Sequence, residues 1–489
     1  MNSKKMIIIP SPKKADFSAS CEKISCTGIS SVGGAYIGCF AAFASLAEKI
    51  YDVNLAFGGD GIRLNSDPNL DKDEYRISVT KDGANIYASG EQGISYALAT
   101  LLQICEADGD FAIKLPICEI SDKPDCDYRT LMVDLARKWH PFNTLLGYVD
   151  LCYLYKIKYL HLHFIDTPSY TLPSRAFPKM PTEGRHYSFE EIEALNEYAK
   201  EKCVEIIPEI EVPGHAKSMV IAYPELFDLV PITEGKEDDY ALFFANIKRN
   251  IINVGKPGIM DTLRTLTEEV MAMFPYSHYF HIGGDEAAIG EWANCADCVK
   301  YMEENGIDGP RPLYTEFVKR MTDMVLEMGK TPIVWEGFPK EGSETISKDV
   351  IVTAWESYYQ LAPDLLDGGF KITNASWQPM YSIPKGLRSY LPEGRWSPEE
   401  VLDWNIYTWK NWNPKTAAHE KPIIVEPTDK VLGGTFCAWE DDYEGEIDGV
   451  RENLAAMSEK VWNINSNMTH EELRCALDKL LPIVKKITV

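Results

Sequence analysis

The sequence predicts an α/β protein in which a (β/α)8 TIM barrel is preceded by a small α/β domain. Three observations carry that expectation. From Tyr128 onward, eight apolar strand-like runs recur with helical stretches between them, the pattern of a parallel sheet buried on both faces. The 489-residue length suits a barrel-sized domain plus a smaller one. The unusual polar and aromatic residues gather at the C-terminal ends of the eight runs, where barrels place their chemistry.

Residues 1–125 are expected to form the first domain, 126–465 the barrel, and 466–489 a C-terminal helix packed on it. In the first domain Tyr75, Ile77 and Val79 alternate with polar residues, Asp82-Gly83 supplies a turn, and Ile86 and Ala88 resume the alternation. That pattern predicts a β-hairpin. Apolar helical stretches flank it at 36–50 and 92–105, and the turn-rich Ser121–Asp127 marks the boundary. With no titratable cluster in view, this domain reads as scaffold.

The eight barrel runs are 128–137, 157–166, 203–211, 279–286, 331–338, 350–357, 371–381 and 431–440. Between the first two, Leu145, Tyr148, Val149, Cys152 and Tyr155 keep helical spacing, and before the fourth Ser188 and Glu191 form a capping box. The helix after the sixth run is short. Residues 382–430 read mostly as loop and hold Trp396, Trp404, Trp409 and Trp412. A helix near 446–463 closes the barrel, and Thr469 to Glu472 caps the last one.

Charge and cysteine usage narrow the partners. The chain carries 49 Lys and Arg against 74 Asp and Glu, a formal charge of -25. Such a surface repels phosphate backbones and anionic lipids, so no nucleic acid and no membrane partner is expected, although the acidity also serves solubility. The apolar run Met6–Ile9 is too short for a signal-peptide core, and no run of about 18 apolar residues follows. A cytoplasmic protein is expected on that basis. Cys39, Cys105, Cys152 and Cys437 sit in apolar stretches and read as buried thiols. Cys295 and Cys298 form a CxxC without a second pair, expected to be a reduced pair in a surface loop and not a zinc site. No cofactor and no metal are called for, and oligomeric state is left open, a homodimer included.

The residues at the ends of the runs are Arg137, Asp166, Glu211 with His215, Asp285 with Glu286, Trp335, Trp355, Tyr381 and Trp439. One such residue is uninformative, since a lone Trp is usually core and a lone acid usually a salt bridge. Recurrence at all eight ends is hard to explain as packing. Acids among indoles suit a sugar, whose apolar face stacks on flat rings. No Gly-rich phosphate loop and no Ser or Cys nucleophile stands out. Asp285 and Glu286 are neighbours, and on a strand neighbouring side chains point to opposite sides. They are therefore poorly placed to face each other across one bond as nucleophile and acid. In the alternative division of labour, Asp285 stays ionised and orients a group of the substrate, while its charge raises the Glu286 pKa and keeps that residue protonated as general acid.

Two other functional classes compete. A metal-dependent hydrolase on the same barrel would use His161 and His163, an HxH, with His215 and His281. Phe164, Ile165 and Asp166 follow the pair, which places both histidines below the barrel mouth as buried, hydrogen-bonded side chains. A non-catalytic sugar-binding protein is the other rival, and the intact Asp285, Glu286 and Tyr381 weigh against it.

The motifs also carry a family resemblance. HIGGDE (281–286), DLAR (134–137), YKIKYLHLHFID (155–166), IPEIEVPGH (207–215) followed by AYPEL (222–226), VWEGF (334–338), and LGG with CAWE (432–440) together resemble glycoside hydrolase family 20, the β-N-acetylhexosaminidases. Residues 74–103 are similar to the non-catalytic domain that precedes the barrel in that family. The resemblance implies an exo-acting, retaining glycosidase that releases terminal β-linked GlcNAc or GalNAc from a small carbohydrate substrate. The 2-acetamido group of the substrate is then the nucleophile, giving an oxazolinium intermediate. It also implies roles. Glu286 is the acid and later the base, Asp285 holds the acetamido N–H, and Tyr381 bonds the acetamido oxygen. Trp335, Trp355 and Trp439 wall the pocket. Arg137 grips ring hydroxyls, Asp166 and His215 form a supporting network, and Glu440 contacts the distal hydroxyls, with Asp441 the alternative. The chain departs from the family pattern at Thr167–Tyr170, where a second Asp and a Gln-Gly-Trp run are usual. It also departs at Glu211, where Asp is usual, and at Ser382-Ile383, where many members keep an Asp.

Overall fold

The computed structural model describes residues 6–19, 22–32, 36–230 and 250–488. The first domain is a seven-stranded sheet in the spatial order 14–17, 118–122, 75–80, 83–88, 61–66, 28–32, 56–57. Its centre is the expected hairpin, Tyr75–Thr80 against Gly83–Ala88, closed at Thr80↔Gly83. Tyr75, Ile77 and Val79 turn inward and are fully buried, as their alternation requires. Helices Ile37–Tyr51 and Glu91–Ile104 pack on each other, the second also against the hairpin.

The second unit is a closed parallel barrel of eight strands: β1 (Tyr128–Asp134), β2 (Tyr159–His163), β3 (Glu205–Glu209), β4 (Tyr279–His281), β5 (Thr331–Trp335), β6 (Ile351–Ala354), β7 (Lys371–Asn374) and β8 (Val431–Ala438). Pairing of β1 with β8, Tyr128↔Gly433 through Val133↔Ala438, closes the ring. All seven residues of β1 are buried, and its apolar residues Leu131, Met132 and Val133 therefore run consecutively and do not alternate with polar ones. The bottom layer of the barrel interior holds Tyr128, Tyr159, Ile207, Ile333 and Ile351, with Tyr279 packed against it.

Several helix ends form as their sequences dictate. Ser188 and Glu191 exchange both capping-box bonds ahead of Phe189–Glu201, and Thr469 and Glu472 do so ahead of His470–Ile487. That last helix packs on the barrel helix Tyr443–Trp462 and also on Ile37–Tyr51 of the first domain. Asp122, in the boundary stretch, is a buried joint between the two units. It receives hydrogen bonds from Tyr75 Oη (2.6 Å) and Trp462 Nε1 (2.9 Å) and pairs with the buried Lys156 ammonium at 3.1 Å.

Three expectations are corrected. The fourth strand stops at His281 instead of running to Glu286, because the backbone takes positive φ from Gly283, two residues on. The seventh stops at Asn374, and Tyr381–Ser382 forms a separate two-residue strand beside Cys437 and Ala438 of β8. Cys295 and Cys298 are reduced but lie buried, not on a surface loop. Cys295 precedes helix Ala296–Asn305, and the Cys298 thiol, in its first turn, donates to Asn253 Oδ1 at 3.3 Å. No helix among the described residues is long and apolar enough to cross a membrane.

Candidate active site

The chain leaves β4 through a Gly pair, and the geometry there explains why both are glycines. Gly283 and Gly284 have φ of 72° and 102°, and Glu286 itself sits at 44°. Glu211, two residues beyond β3, lies beneath this turn and accepts the Gly284 N–H at 2.7 Å. A Cβ on Gly283 would fall inside the Glu211 carboxyl, and one on Gly284 would stand 2.7 Å from Val334 Cγ2. Gly337 likewise has no side chain because the Gly284 carbonyl occupies the space. Burial and the charges of Asp285 and Glu209 push the Glu211 carboxyl well up. Gly283→Ala should destabilise the protein by about 2–4 kcal/mol, read as a lowered urea midpoint. Combining it with Glu211→Ala should cost less than the sum, and strict additivity would contradict the contact.

Because this segment is a turn and not a strand, Asp285 and Glu286 do not point to opposite sides. They converge on one imidazole. His215 Nε2 stands 3.8 Å from Asp285 Oδ2 and 3.5 Å from Glu286 Oε2. The expected charge pattern is also reversed. Burial pushes Asp285 up, with the Glu286 charge adding to it. Contact with His215, assisted by Arg137, pulls Glu286 down. The reason is exposure: the Asp285 side chain is 13% exposed and that of Glu286 57%. Water and the His215 contact thus favour the glutamate charge, whereas at Asp285 burial outweighs the help of the same imidazole.

Behind these carboxylates runs an alternating series of acids and bases. His215 Nδ1 meets Asp166 Oδ1 at 3.3 Å, and His163 Nε2 meets Asp166 Oδ2 at 3.1 Å. His163 Nδ1 then donates to Glu209 Oε2 at 2.6 Å. Burial alone would lower both histidines, but the flanking carboxylates raise His163 to about 10 and His215 well above its usual value. Asp166 is also burdened by burial, yet His163, His215 and Arg137 hold it well below the usual carboxylate range. Arg137 binds Asp166 at 2.7 Å, Asp134 at 3.4 Å and Glu440 at 3.8 Å, and lies 4.7 Å from the Trp439 ring centroid. Asp134, at the end of β1, also accepts the Ala136 and Arg137 N–H groups and so shapes the loop that carries the guanidinium.

Glu209 is the residue that sequence reasoning missed. Fully buried at the end of β3, it takes His161 Nε2 (2.9 Å), His163 Nδ1 (2.6 Å) and Trp335 Nε1 (2.6 Å), with His281 Nδ1 at 3.0 Å. The HxH histidines are therefore buried and hydrogen-bonded, as their depth below the mouth implied. The available signal was an acid two residues beyond the inward-facing Ile207, on the same face of the strand. Glu336 was missed for a similar reason: buried after β5, it receives the backbone N–H groups of Ser357, Tyr358, Tyr359 and Gln360 at 2.9–3.3 Å.

The aromatics form one wall. Trp335 lies 6.3 Å from Trp355 and 6.0 Å from Trp439, centroid to centroid, and Tyr381 stacks near-parallel on Trp355 at 6.3 Å. Trp335 is 1% exposed and forms the floor, and Trp355 is fixed by donation to the Glu336 carbonyl at 2.9 Å. Trp377 continues the stack from Tyr381 at 4.5 Å, and Tyr390 lies flat on Trp412 at 3.5 Å. Of the Trp-rich segment, Trp409 is core, its indole N–H held by the Ala354 carbonyl, and Trp404 packs over Gly434. Beside this wall, burial and the charges of Glu336 and Glu286 push Glu356 up to about 8. Glu440 directs its carboxylate to Arg137, whereas Asp441 accepts the Asp442 N–H and crowds Gly445. Buried atoms without a partner among the described residues include Asp285 Oδ1 and Trp439 Nε1, both at the pocket.

The family model "Glycosyl hydrolase family 20, catalytic domain" matches residues 126–465, and the model for domain 2 of the same family matches residues 5–123. A β-hexosaminidase of Vibrio furnissii is 30% identical over 412 residues, covering 78% of this chain and 63% of that protein. A β-hexosaminidase of Akkermansia muciniphila is 30% identical over 283 residues, 55% of this chain and 56% of its own. The chain thus spans roughly three fifths of the length of these two relatives. Among solved structures, a Vibrio harveyi family 20 exo-β-N-acetylglucosaminidase superposes with a TM-score of 0.81 at 22% identity, over 98% of this chain and 77% of that one. A Bacteroides fragilis β-N-acetylhexosaminidase does so at 0.78 and 20%, over 98% and 96%. These likenesses establish the fold.

Proposed function

The chain belongs to glycosyl hydrolase family 20, and on that premise we propose that it is an exo-acting, retaining β-N-acetylhexosaminidase. Its substrate in this reading is a small carbohydrate ending in β-linked GlcNAc or GalNAc. The observation that carries the reading is Asp285 Oδ1: a buried carboxylate oxygen without a partner among the described residues, beside a mostly exposed Glu286 on the same turn. A buried acceptor of this kind fits an amide N–H.

The sugar lies over Trp335 against Trp355, Tyr381 and Trp439, with Arg137 and Glu440 on its hydroxyls. Asp285 holds the acetamido N–H, so that the acetamido oxygen attacks the anomeric carbon while Tyr381 steadies it. Glu286 gives its proton to the leaving oxygen. A bound sugar strips water from Glu286, which raises its pKa toward that of a working acid, and the acetamido N–H lowers that of Asp285. Binding thereby moves both groups in the direction the chemistry needs. In this reading the aglycone extends over the Trp377, Tyr390 and Trp412 platform, which continues the stack from Tyr381.

Turnover of 4-nitrophenyl β-N-acetylglucosaminide and its galacto epimer tests the proposal. Release of nitrophenol with the β-anomer of the free sugar as first product is expected, and EDTA should leave the rate unchanged. Binding of the glycoside without release would point instead to a sugar-binding protein, and loss with EDTA restored by zinc to a metal enzyme.

A further inference from the structure

We propose that Glu209 is a positioning residue that locks a positive charge on His163, so that the acid–base series behind Glu286 carries a constant charge across the working pH range. Glu209 touches no substrate in the proposed reaction. Its chain of polar contacts to Glu286 runs through His163, Asp166 and His215, with contacts of 2.6, 3.1 and 3.3 Å, and then 3.5 Å to Glu286. His163 meets a carboxylate at each ring nitrogen. A neutral imidazole has one donor, so both bonds can be made to ionised carboxylates only by the imidazolium.

The surroundings leave Glu209 as the group that decides this. Facing the His163–Glu209 pair are Asp134 at the end of β1, His161 on β2, Asp166 after it, Glu211 after β3, His281 on β4 and Asp285 beyond it. Asp166 is shared with Arg137 and His215, whereas the Glu209 Oε2 carboxylate oxygen serves only His161 and His163 among the described residues. His281 stays neutral, pulled down by burial to about 4, and its Nδ1 accepts the Gly283 N–H at 3.0 Å. Glu209 also takes the Trp335 indole, so one buried carboxylate fixes both the pocket floor and the charge behind the acid.

With Glu209 ionised and His163 protonated, the pair sums to zero. Replacing Glu209 by Gln removes the negative member, and His163 then loses its proton at a lower pH. Below that point the series carries one uncompensated positive charge, which draws protons off Glu286 more readily. Above it the pair is again neutral. The variant therefore gains an ionisation that the native protein lacks in the same range.

The experiment is the titration of the full-length protein's imidazoles by 15N NMR, with His163 assigned by its loss in His163→Gln. In the native chain His163 should stay protonated from pH 5 to pH 9. In Glu209→Gln its midpoint should move down by about two to three pH units, as expected when an opposite charge in contact is removed. The pH profile of kcat/KM on the nitrophenyl glycoside should gain one ionisation at the same midpoint. His161→Gln, which removes a bond to Glu209 but leaves both carboxylates on His163, should add none. A native His163 that titrates between pH 5 and pH 9 would overturn the proposal. So would a folded Glu209→Gln protein whose His163 titrates as in the native chain, or whose profile keeps its shape with a uniform loss, the mark of simple structural support. The kinetic arm rests on the hexosaminidase reading and the NMR arm does not, so a protein without turnover would defeat that reading and leave the charge on His163 to be decided by NMR alone.

Discussion

Glu286→Gln should lower kcat/KM on β-linked disaccharides by about 10²- to 10⁴-fold, the range that a positioned general acid contributes. Gln keeps the shape and has no proton of suitable acidity to give. A sugar alkoxide cannot leave without one, whereas a nitrophenolate can. The loss on the nitrophenyl glycoside should therefore be much smaller than on the disaccharide. An equal loss on both would mean that Glu286 holds the substrate instead of protonating it. The unliganded site adds a second signature. Contact with His215 holds Glu286 low before substrate arrives. Covering a side chain that is 57% exposed must raise it. The alkaline limb of kcat, which reports the complex, should therefore lie at higher pH than that of kcat/KM, which reports the free protein.

The barrel was legible because its strands are apolar on both faces and its helices carry their own start signals, as Ser188 with Glu191 shows. What stayed hidden was where strands stop. Tyr279–Glu286 reads as one run because Phe280 and Ile282 are apolar, yet Gly283 and Gly284 take left-handed backbone and end β4 at His281. That turn brings Asp285 and Glu286 to the same imidazole, so strand alternation does not set the two carboxylates apart. The resemblance named the residues that line the pocket and passed over those holding it from below. Glu209, Asp134 and Glu336 are acids one to three residues from named ones, and only three-dimensional proximity separates a buried hub from an ordinary surface acid. The fate of individual tryptophans was equally invisible, since Trp409 in the core and Trp412 on the rim lie three residues apart.

In the proposed reaction, Asp285→Asn isolates the step in which the substrate supplies its own nucleophile. Asn is nearly isosteric and can still offer an oxygen to the acetamido N–H, so binding should weaken little. What it lacks is the negative charge that balances the positive charge developing on the oxazolinium ring. In a buried site that loss is felt in full. The expected fall in kcat is about 10²- to 10³-fold, or about 2.7–4 kcal/mol. Because ring closure accompanies departure of every leaving group, the fall should be similar for nitrophenyl and disaccharide substrates, unlike that of Glu286→Gln. Successive fluorination of the N-acetyl group makes its oxygen a poorer nucleophile, so native rates should decline with each fluorine. If Asp285→Asn turned over at the native rate, or if fluorination left the native rate flat, the nucleophile would have to come from elsewhere. Glu356, whose carboxyl is pushed up to about 8 beside the same pocket, would then be the next residue to replace.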